Sequence, residues 1–279
     1  MEFHKTVEQM TFHLMKLGYG LFTYTDPTAS FIHTSSLLQQ VGKLHQLACG
    51  WFESTKVADT RKTLLIVGRS LPRFDRGSGH LRLYHILQIL SPHYNISYYT
   101  ESFSTSDDCD DTVYLESLKG LGINVCCNAN AFLNLLEQAF DFVLFEFYDT
   151  AIRHMHQIED KLPNAIRIID TVDVHFAREM QMATVHNDQR LLQAALITKG
   201  KELAIYQDCE MVWAVTDEDK QLLLKENPSL RVAIVPNIHK INKINRENIE
   251  KHSILFVGNF WHQPNEDAVI YFCKDILPL

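Results

Sequence analysis

The stretch FVLFEFYDTAIRHMHQIEDKLPNAIRIID, residues 142–170, decides the fold. It opens with a short apolar run, continues through a segment with apolar residues at helical spacing, and reaches a second apolar run after Pro163. Two short apolar runs joined by one helix indicate a strand–helix–strand unit, in which the crossover is right-handed and the two strands are parallel. The same alternation continues on both sides of this stretch.

Seven apolar runs of strand length lie between residues 63 and 235. They are TLLIV (63–67), NISYYT (95–100), INVCC (123–127), FVLFEF (142–147), AIRIID (165–170), MVWAV (211–215) and RVAIV (231–235). Segments of helical or loop character separate them, which predicts an α/β domain over residues 63–237 with a doubly wound, Rossmann-like parallel sheet of about seven strands. Such a domain binds its ligand at the carboxyl ends of the strands.

The flanking segments have a different character. Residues 1–62 carry apolar residues at helical spacing and predict a helical N-terminal extension, whereas residues 238–252 are polar and charged, as in a linker. The closing stretch SILFVGNFWHQPNEDAVIYFCKDILPL, residues 253–279, predicts one strand, one loop and one helix. We interpret it as the incomplete start of a further domain, because a lone strand–helix unit cannot bury its own apolar face.

Composition restricts the class of protein. The 279 residues are 46% hydrophobic and 22% charged, as in a soluble globular protein, and the net charge is −8. An acidic balance argues against nucleic acid as a partner, because phosphate binding requires clustered Lys and Arg. No apolar run is long enough to cross a bilayer, and no signal peptide is present. We expect a cytoplasmic location, with attachment to the inner face of the membrane left open, and free cysteine thiols, because the six cysteines form no C-x-x-C pair.

The loop after the first predicted strand is the first candidate site. GRSLPRFDRGSGHLR, residues 68–82, contains Gly77 and Gly79 immediately before a predicted helix, together with four arginines. Glycines allow a close approach of the backbone to a bound anion, and a helix N-terminus offers free N–H groups. The loop is therefore an anion- or sugar-binding loop, or else a solvated loop with glycines at its turns.

Two further strand ends carry candidate residues. Glu146 ends the fourth strand beside two aromatic residues, and this group could contact a sugar or pack at the sheet edge. Asp170, Asp173 and His175 follow the fifth strand within six residues, a cluster suited to acid–base work or to the orientation of hydroxyl groups. Asp173 or a neighbour could instead cap the following helix.

Five motifs occur in order over residues 63–279. They are the GSG loop, D-x-x-D-x-H-F-x-R-E, V-T-D-E-D, V-P-N, and I-L-F-V-G-N-F-x-H-x-P-N-x-D-A. In this order and spacing the set resembles GT-B glycosyltransferases of the large retaining family 4 type. The resemblance implies that residues 63–237 are the acceptor-side N-terminal domain. It also implies hexosyl transfer from a nucleotide-sugar to a hydroxyl group of a glycan or lipid-linked acceptor, as in polysaccharide biosynthesis, without a metal ion or another cofactor.

The resemblance also assigns roles to matching positions. It places His175 near the transferred sugar, the glycine loop near the phosphates, and the end of V-P-N at the crossover between two domains. Combined with the strand-end residues, it yields three candidate sets. They are a catalytic pair, His175 and Asp173; an acceptor- or phosphate-binding set, Gly77, Ser78, Gly79, Arg82, Glu146 and Arg178; and a donor-side set, Asn237, Gly258 and Asn259.

The chain departs from the family after residue 279, where the donor domain of such enzymes continues for well over a hundred residues. We therefore expect a truncated transferase, weakly active or inactive alone. An alternative is a non-catalytic acceptor-binding or scaffold subunit that pairs with a separate protein carrying the donor domain. A dinucleotide-dependent Rossmann enzyme is a third interpretation, against which the absence of G-x-G-x-x-G argues.

Overall fold

The computed structural model describes residues 60–106, 109–238, 254–258, 260 and 263–278. The chain divides into two compact units, Met1–Pro236 and Asn237–Leu279, and each is described by itself. Nearly all of the predicted helical extension at 1–62 lies outside the described residues, as do most of the predicted linker and Asn259.

The first unit alternates strands and helices. Its main strands are β1 (Lys62–Gly68), β2 (Tyr94–Thr100), β5 (Asn124–Cys126), β6 (Phe142–Glu146), β7 (Ile166–Asp170), β8 (Met211–Ala214) and β9 (Val232–Ile234), and a short hairpin comprises β3 (Thr105–Ser106) and β4 (Cys109–Asp110). Its helices are α1 (Ser78–Leu90), α2 (Thr112–Gly120), α3 (Ala129–Leu135), α4 (Tyr148–Lys161), α5 (His175–His186), α6 (Gln189–Gln207) and α7 (Asp217–Glu226).

The main strands form a single parallel sheet. Its order is β5–β2–β1–β6–β7–β8–β9, which confirms the predicted doubly wound sheet of seven strands. From β1 the chain first builds outward through β2 to β5, and then returns to β6 on the other side of β1. The switch in direction leaves a crevice outside the carboxyl ends of β1 and β6, where doubly wound sheets bind their ligands.

The sheet is central because its strands are apolar on both faces. In β1, Leu65 and Val67 pack into one core cluster, whereas Leu64 and Ile66 pack into the other. All four side chains are at most 4% exposed. A strand covered on both faces requires a continuous apolar run rather than an alternating one, which explains why TLLIV and FVLFEF are conspicuous in the sequence.

Helix ends follow local capping chemistry, with one break that the sequence analysis missed. The region predicted as one long helix over 175–208 is two helices, because Asn187 adopts a left-handed conformation (φ 46°) and the side chain of Asp188 accepts the backbone N–H of Arg190 (2.7 Å). Thr216 caps α7 through the N–H of Asp219 (3.1 Å), as predicted. Gly122, with φ 76°, follows α2 and closes it.

The described part of the second unit contains a helix but not the expected strand. Residues 254–258 form no strand, whereas α8 (Gln263–Tyr271) continues into a π-helical turn, Phe272–Ile276. Leu255 and Val257 are 86% and 84% exposed. A strand needs a partner for its backbone groups, and residues 254–258 have none among the described residues of this unit. No helix in the described ranges is long and apolar enough to cross a membrane.

Candidate functional site

The candidate site is the crevice at the carboxyl ends of β1, β6 and β7. Gly68 ends β1, and an added Cβ there would collide with the hydroxyl of Tyr98 and lie 2.9 Å from Oε2 of Glu146. Glu146 ends β6, and its register partner Asp170 ends β7. Glycine at position 68 therefore lets the carboxylate of Glu146 lie directly against the backbone of β1.

Glu146 is a buried acid with an unused oxygen. Its side chain is 2% exposed, and Oε2 has no hydrogen-bond partner among the described residues. The neighbouring hydroxyl of Tyr98 donates its proton to the carbonyl of Ser70 (2.8 Å). Burial and, to a smaller extent, the charge of Asp170 raise the pKa of Glu146 to about 8, while Arg69 and Arg82 oppose the shift. Near neutral pH this carboxyl is protonated and can donate a hydrogen bond.

Arg82 is buried at the base of the crevice. The residue is 1% exposed, and its Nη1 donates to Oδ2 of Asp170 (2.5 Å). Nε and Nη2 both donate to the carbonyl of Val235 (3.0 and 2.7 Å). The guanidinium thereby ties α1 to β7 and to the residue that follows β9. Arg82 is one of the predicted phosphate contacts, and here Asp170 and the Val235 carbonyl accept hydrogen bonds from Nε, Nη1 and Nη2.

The N-terminus of α1 forms one wall. Gly77 is its N-cap, no side chain of the described residues caps it, and its first turn contains no acid. A Cβ on Gly79 would lie 2.9 Å from Cγ1 of Val172, so glycine allows the first turn of α1 to pack on the loop after β7. Ser78 is exposed. Free N–H groups at a helix N-terminus are suited to binding an anion, and the predicted phosphate contact at this loop stays a prediction.

Two residues at the rim have strained backbones. Phe147, directly after β6, has φ 70°, and Val172, after β7, has φ 57°. Positive φ is unfavourable for residues with bulky side chains and costs on the order of 1–3 kcal/mol when the surroundings enforce it. Both positions lie at the carboxyl edge of the sheet, where the strain orients the loops that line the crevice.

His175, the first residue of α5, is held between acids. Its Nδ1 lies 3.2 Å from Oδ1 of Asp173 and 3.4 Å from Oε1 of Glu202. Its ring packs edge-on against the rings of Phe147 (5.7 Å between centroids) and Tyr148 (5.2 Å). The structure thus brings together the two residues of the predicted catalytic pair. Arg178, a predicted anion contact, forms an ion pair with Asp173.

Glu202 is the functional-site residue that the sequence analysis missed. Its carboxylate is fully buried and accepts the backbone N–H groups of His175 (3.1 Å) and Phe176 (2.9 Å), together with the hydroxyl of Tyr206 (3.0 Å). It therefore caps α5, the role that the sequence analysis considered for Asp173. Because Glu202 lies on α6, 27 residues after His175, no local pattern signals the contact.

The loop between β1 and α1 is fixed rather than merely solvated. Arg69 donates to Asp149 at the start of α4 and lies over the ring of Phe147 (4.1 Å). Further along, Arg73 makes two hydrogen bonds to the buried Asp111 (2.8 and 3.1 Å). The hydroxyl of Tyr114 donates to Asp75 (2.6 Å). Ion pairs and hydrogen bonds along its length position this loop over the crevice.

A cavity of about 370 Å³ lies at the opposite edge of the sheet. It surrounds the amino-terminal ends of β8 and β9, and its lining includes Tyr206, Cys209, Glu210 and Arg231. Burial raises the pKa of the Cys209 thiol to about 12, so this thiol is not a ready nucleophile. We place the candidate site at the carboxyl edge instead, where the buried Oε2 of Glu146 and Oγ1 of Thr171 lack partners among the described residues.

The remaining predicted residues, the donor-side set, belong to the second unit. Asn237 is exposed, and a Cβ on Gly258 would lie 2.9 Å from Nδ2 of Asn265 within the second unit. Asn259 lies outside the described residues. The described residues contain no cluster of metal-ligating side chains. Among them, Cys126, Cys127, Cys209 and Cys273 are free thiols.

Comparison with known proteins gives little beyond the fold. No family model matches the sequence, and no curated protein matches it. One similar solved structure is the crystal structure of Medicago truncatula UGT71G1 complexed with UDP-glucose, with 10% sequence identity and a TM-score of 0.38. The match covers 79% of this chain and 58% of that chain.

Proposed function

We propose that the first unit is the acceptor-side domain of a GT-B glycosyltransferase, which moves a hexosyl group from a nucleotide-sugar to a hydroxyl group. One observation carries the proposal: three separate segments that bear Gly79, Glu146 and His175 pack together at the carboxyl edge of the sheet, where Gly79 lies against Val172 and the ring of Phe147, next to Glu146, packs on His175. The ordered motifs over residues 63–279 support it, because they resemble retaining family 4 enzymes. We infer a nucleotide-sugar and a glycan or lipid-linked acceptor as the substrates.

The geometry suggests a division of roles. The uncapped N-terminus of α1 would receive a phosphate group through its N–H groups. His175, whose Nδ1 faces Asp173 and Glu202, would orient a sugar hydroxyl. During transfer the acceptor oxygen bonds to the anomeric carbon, the bond from that carbon to the diphosphate breaks, and the hydroxyl proton passes to a diphosphate oxygen. Retention of the anomeric configuration is part of the proposal.

Ligand binding by a matched pair of histidine variants tests this function. UDP-hexoses and other nucleotide-hexoses are titrated into the full chain, with binding followed by saturation-transfer NMR. His175→Ala should lose roughly tenfold in affinity, because a buried polar contact contributes about 1–1.5 kcal/mol. His186→Ala, at the exposed end of the same helix, should bind like the wild type. Absence of binding by every nucleotide-sugar, or equal binding by both variants, would refute the proposal.

A second candidate is a binding subunit without transfer activity. The exposed apolar residues of the second unit favour it, because Ile254, Leu255 and Val257 are 73%, 86% and 84% exposed. Exposed apolar clusters of this kind mark protein interaction sites. Both candidates predict ligand binding in the crevice, and they differ in turnover. Formation of a glycosylated acceptor by the chain alone would exclude the second candidate.

A further inference from the structure

We propose that the crevice between β1, β6 and β7 receives an uncharged, hydroxyl-bearing glycosyl ring and excludes phosphate from that position. This inference rests on the proposed function and specifies which part of the ligand lies there. The crevice contrasts with the N-terminus of α1, which can hold an anion.

The arginines around the crevice are neutralised. Each forms an ion pair with its own carboxylate: Arg69 with Asp149, Arg82 with Asp170, and Arg178 with Asp173. Arg76, on the same loop as Arg69, is exposed and lies beside Tyr114 of α2. Glu202 adds a further buried carboxylate next to His175. A phosphate in the crevice would therefore meet paired cations and additional acids, and its charge would be poorly compensated.

The unused polar atoms match hydroxyl groups. Oε2 of Glu146 and Oγ1 of Thr171 are buried without a hydrogen-bond partner among the described residues, whereas Nδ1 of His175 lies beside Asp173 and Glu202. Glu146 is 2% exposed and Thr171 is fully buried, and they end β6 and follow β7. A protonated carboxyl and a hydroxyl can each donate and accept, as sugar hydroxyls do. Buried polar groups without partners are rare in folded proteins, and a ligand or ordered water satisfies them.

The protonation of Glu146 makes the inference testable. The groups that face this carboxyl are Asp170, Arg69, Arg82 and Tyr98. Because its pKa is about 8, Glu146 loses its proton as the pH rises from 6.5 to 9. The ionised form cannot donate to a ligand hydroxyl. One pH unit above the pKa, about a tenth of the protein remains protonated, so glycoside affinity should fall about tenfold.

The experiment uses the full chain and the methyl α-glycosides of glucose, galactose and mannose. Affinities are measured by saturation-transfer NMR at pH 6.5 and pH 9 for the wild type, Glu146→Gln and the control Glu159→Gln. Glu159 is an exposed acid on α4 that pairs with Arg167, away from the crevice. The wild type and Glu159→Gln should lose about tenfold between the two pH values. Glu146→Gln, which keeps a neutral donor, should change less than twofold.

Two further measurements complete the test. Inorganic phosphate at millimolar concentration should leave glycoside binding at pH 6.5 unchanged. If Glu146→Gln does not fold, Thr171→Val takes its place as the test variant. It removes a hydroxyl without changing the size of the side chain, and it should weaken glycoside binding at both pH values. Displacement of the glycoside by phosphate, or wild-type binding that is independent of pH, would overturn the inference.

The outcomes separate this inference from the proposed function. Glycosides that bind with the expected pH dependence, without binding of any nucleotide-sugar, would support the crevice assignment and refute the transferase. Nucleotide-sugar binding that depends on His175, without competition from the methyl glycosides, would overturn the crevice assignment and leave the transferase intact.

Discussion

At the scale of single residues, two buried acids have opposite surroundings. Glu202 receives three hydrogen bonds and closes the N-terminus of α5, whereas Oε2 of Glu146 receives none from the described residues. Burying a carboxyl group is unfavourable unless it is neutral or fully paired. Pairing makes Glu202 a structural support for His175, whereas burial keeps Glu146 uncharged near neutral pH.

The pH dependence of stability should report Glu146. Its folded pKa of about 8 exceeds the usual value of 4.5, so between these values the folded chain keeps a proton that the unfolded chain loses. Its contribution to the free energy of unfolding therefore falls as the pH rises from about 5 to 8, by up to about 1.4 kcal/mol per pH unit. The free energy of unfolding of Glu146→Gln, measured with urea, should not show this fall between pH 5 and 8. The same slope in the wild type and the variant would contradict the assignment.

Glu202 should be costly to remove. Glu202→Ala leaves two backbone N–H groups and the Tyr206 hydroxyl without their acceptor, and we expect a loss of about 3 kcal/mol in the free energy of unfolding. Tyr206→Phe removes one of these bonds and should lose about 1 kcal/mol. Chemical denaturation measures both. A loss for Glu202→Ala no larger than that for Tyr206→Phe would show that the cap is unimportant.

At the scale of elements, α1 has the most constrained position in the site. Arg82 fastens it to β7 and to the residue after β9, and Gly79 packs its first turn against Val172. Both contacts join segments far apart in the sequence. The close approach orients the free N–H groups of the helix toward the carboxyl edge of the sheet, where the proposed ligand binds.

The two glycines of the loop should tolerate substitution differently. Gly79→Ala places a Cβ 2.9 Å from Cγ1 of Val172, and we expect it to displace α1, to destabilise the fold by about 1 kcal/mol and to weaken ligand binding. Gly77→Ala is the control, because its nearest neighbour would be Cδ2 of His80 at 3.4 Å and its φ is −164°. Thermal unfolding and ligand titration compare the two. Equal effects would contradict the close-packing account.

The elements also show what the sequence can predict. Apolar runs such as TLLIV identify buried strands, and Thr216 followed by acids identifies the start of α7, because both signals are local. Contacts between distant segments are not visible in this way. The cap that Glu202 supplies to α5 and the internal pairing of Arg82 depend on how helices pack on the sheet. The strand expected at SILFV failed for the same reason, since a strand forms only with a partner.

At the scale of the whole molecule, the distribution of charge argues against a nucleic-acid ligand. The chain carries a net charge of −8, and the arginines around the crevice are paired with carboxylates. Nucleic acid requires unpaired clusters of positive charge. We expect fluorescence anisotropy of labelled duplex DNA to remain unchanged on addition of the protein at 50 mM salt. Binding that weakens as salt is added would contradict this expectation.

The central claim is that the ligand binds at the carboxyl edge of β1, β6 and β7. Amide chemical shifts of the isotope-labelled full chain, recorded during titration with a nucleotide-sugar, test it most directly. Our account predicts shifts in the segments 68–70, 77–80, 146–149 and 171–176. Shifts confined to the opposite edge, at Gln207, Glu210, Ser229 and Arg231 around the 370 Å³ cavity, would contradict it.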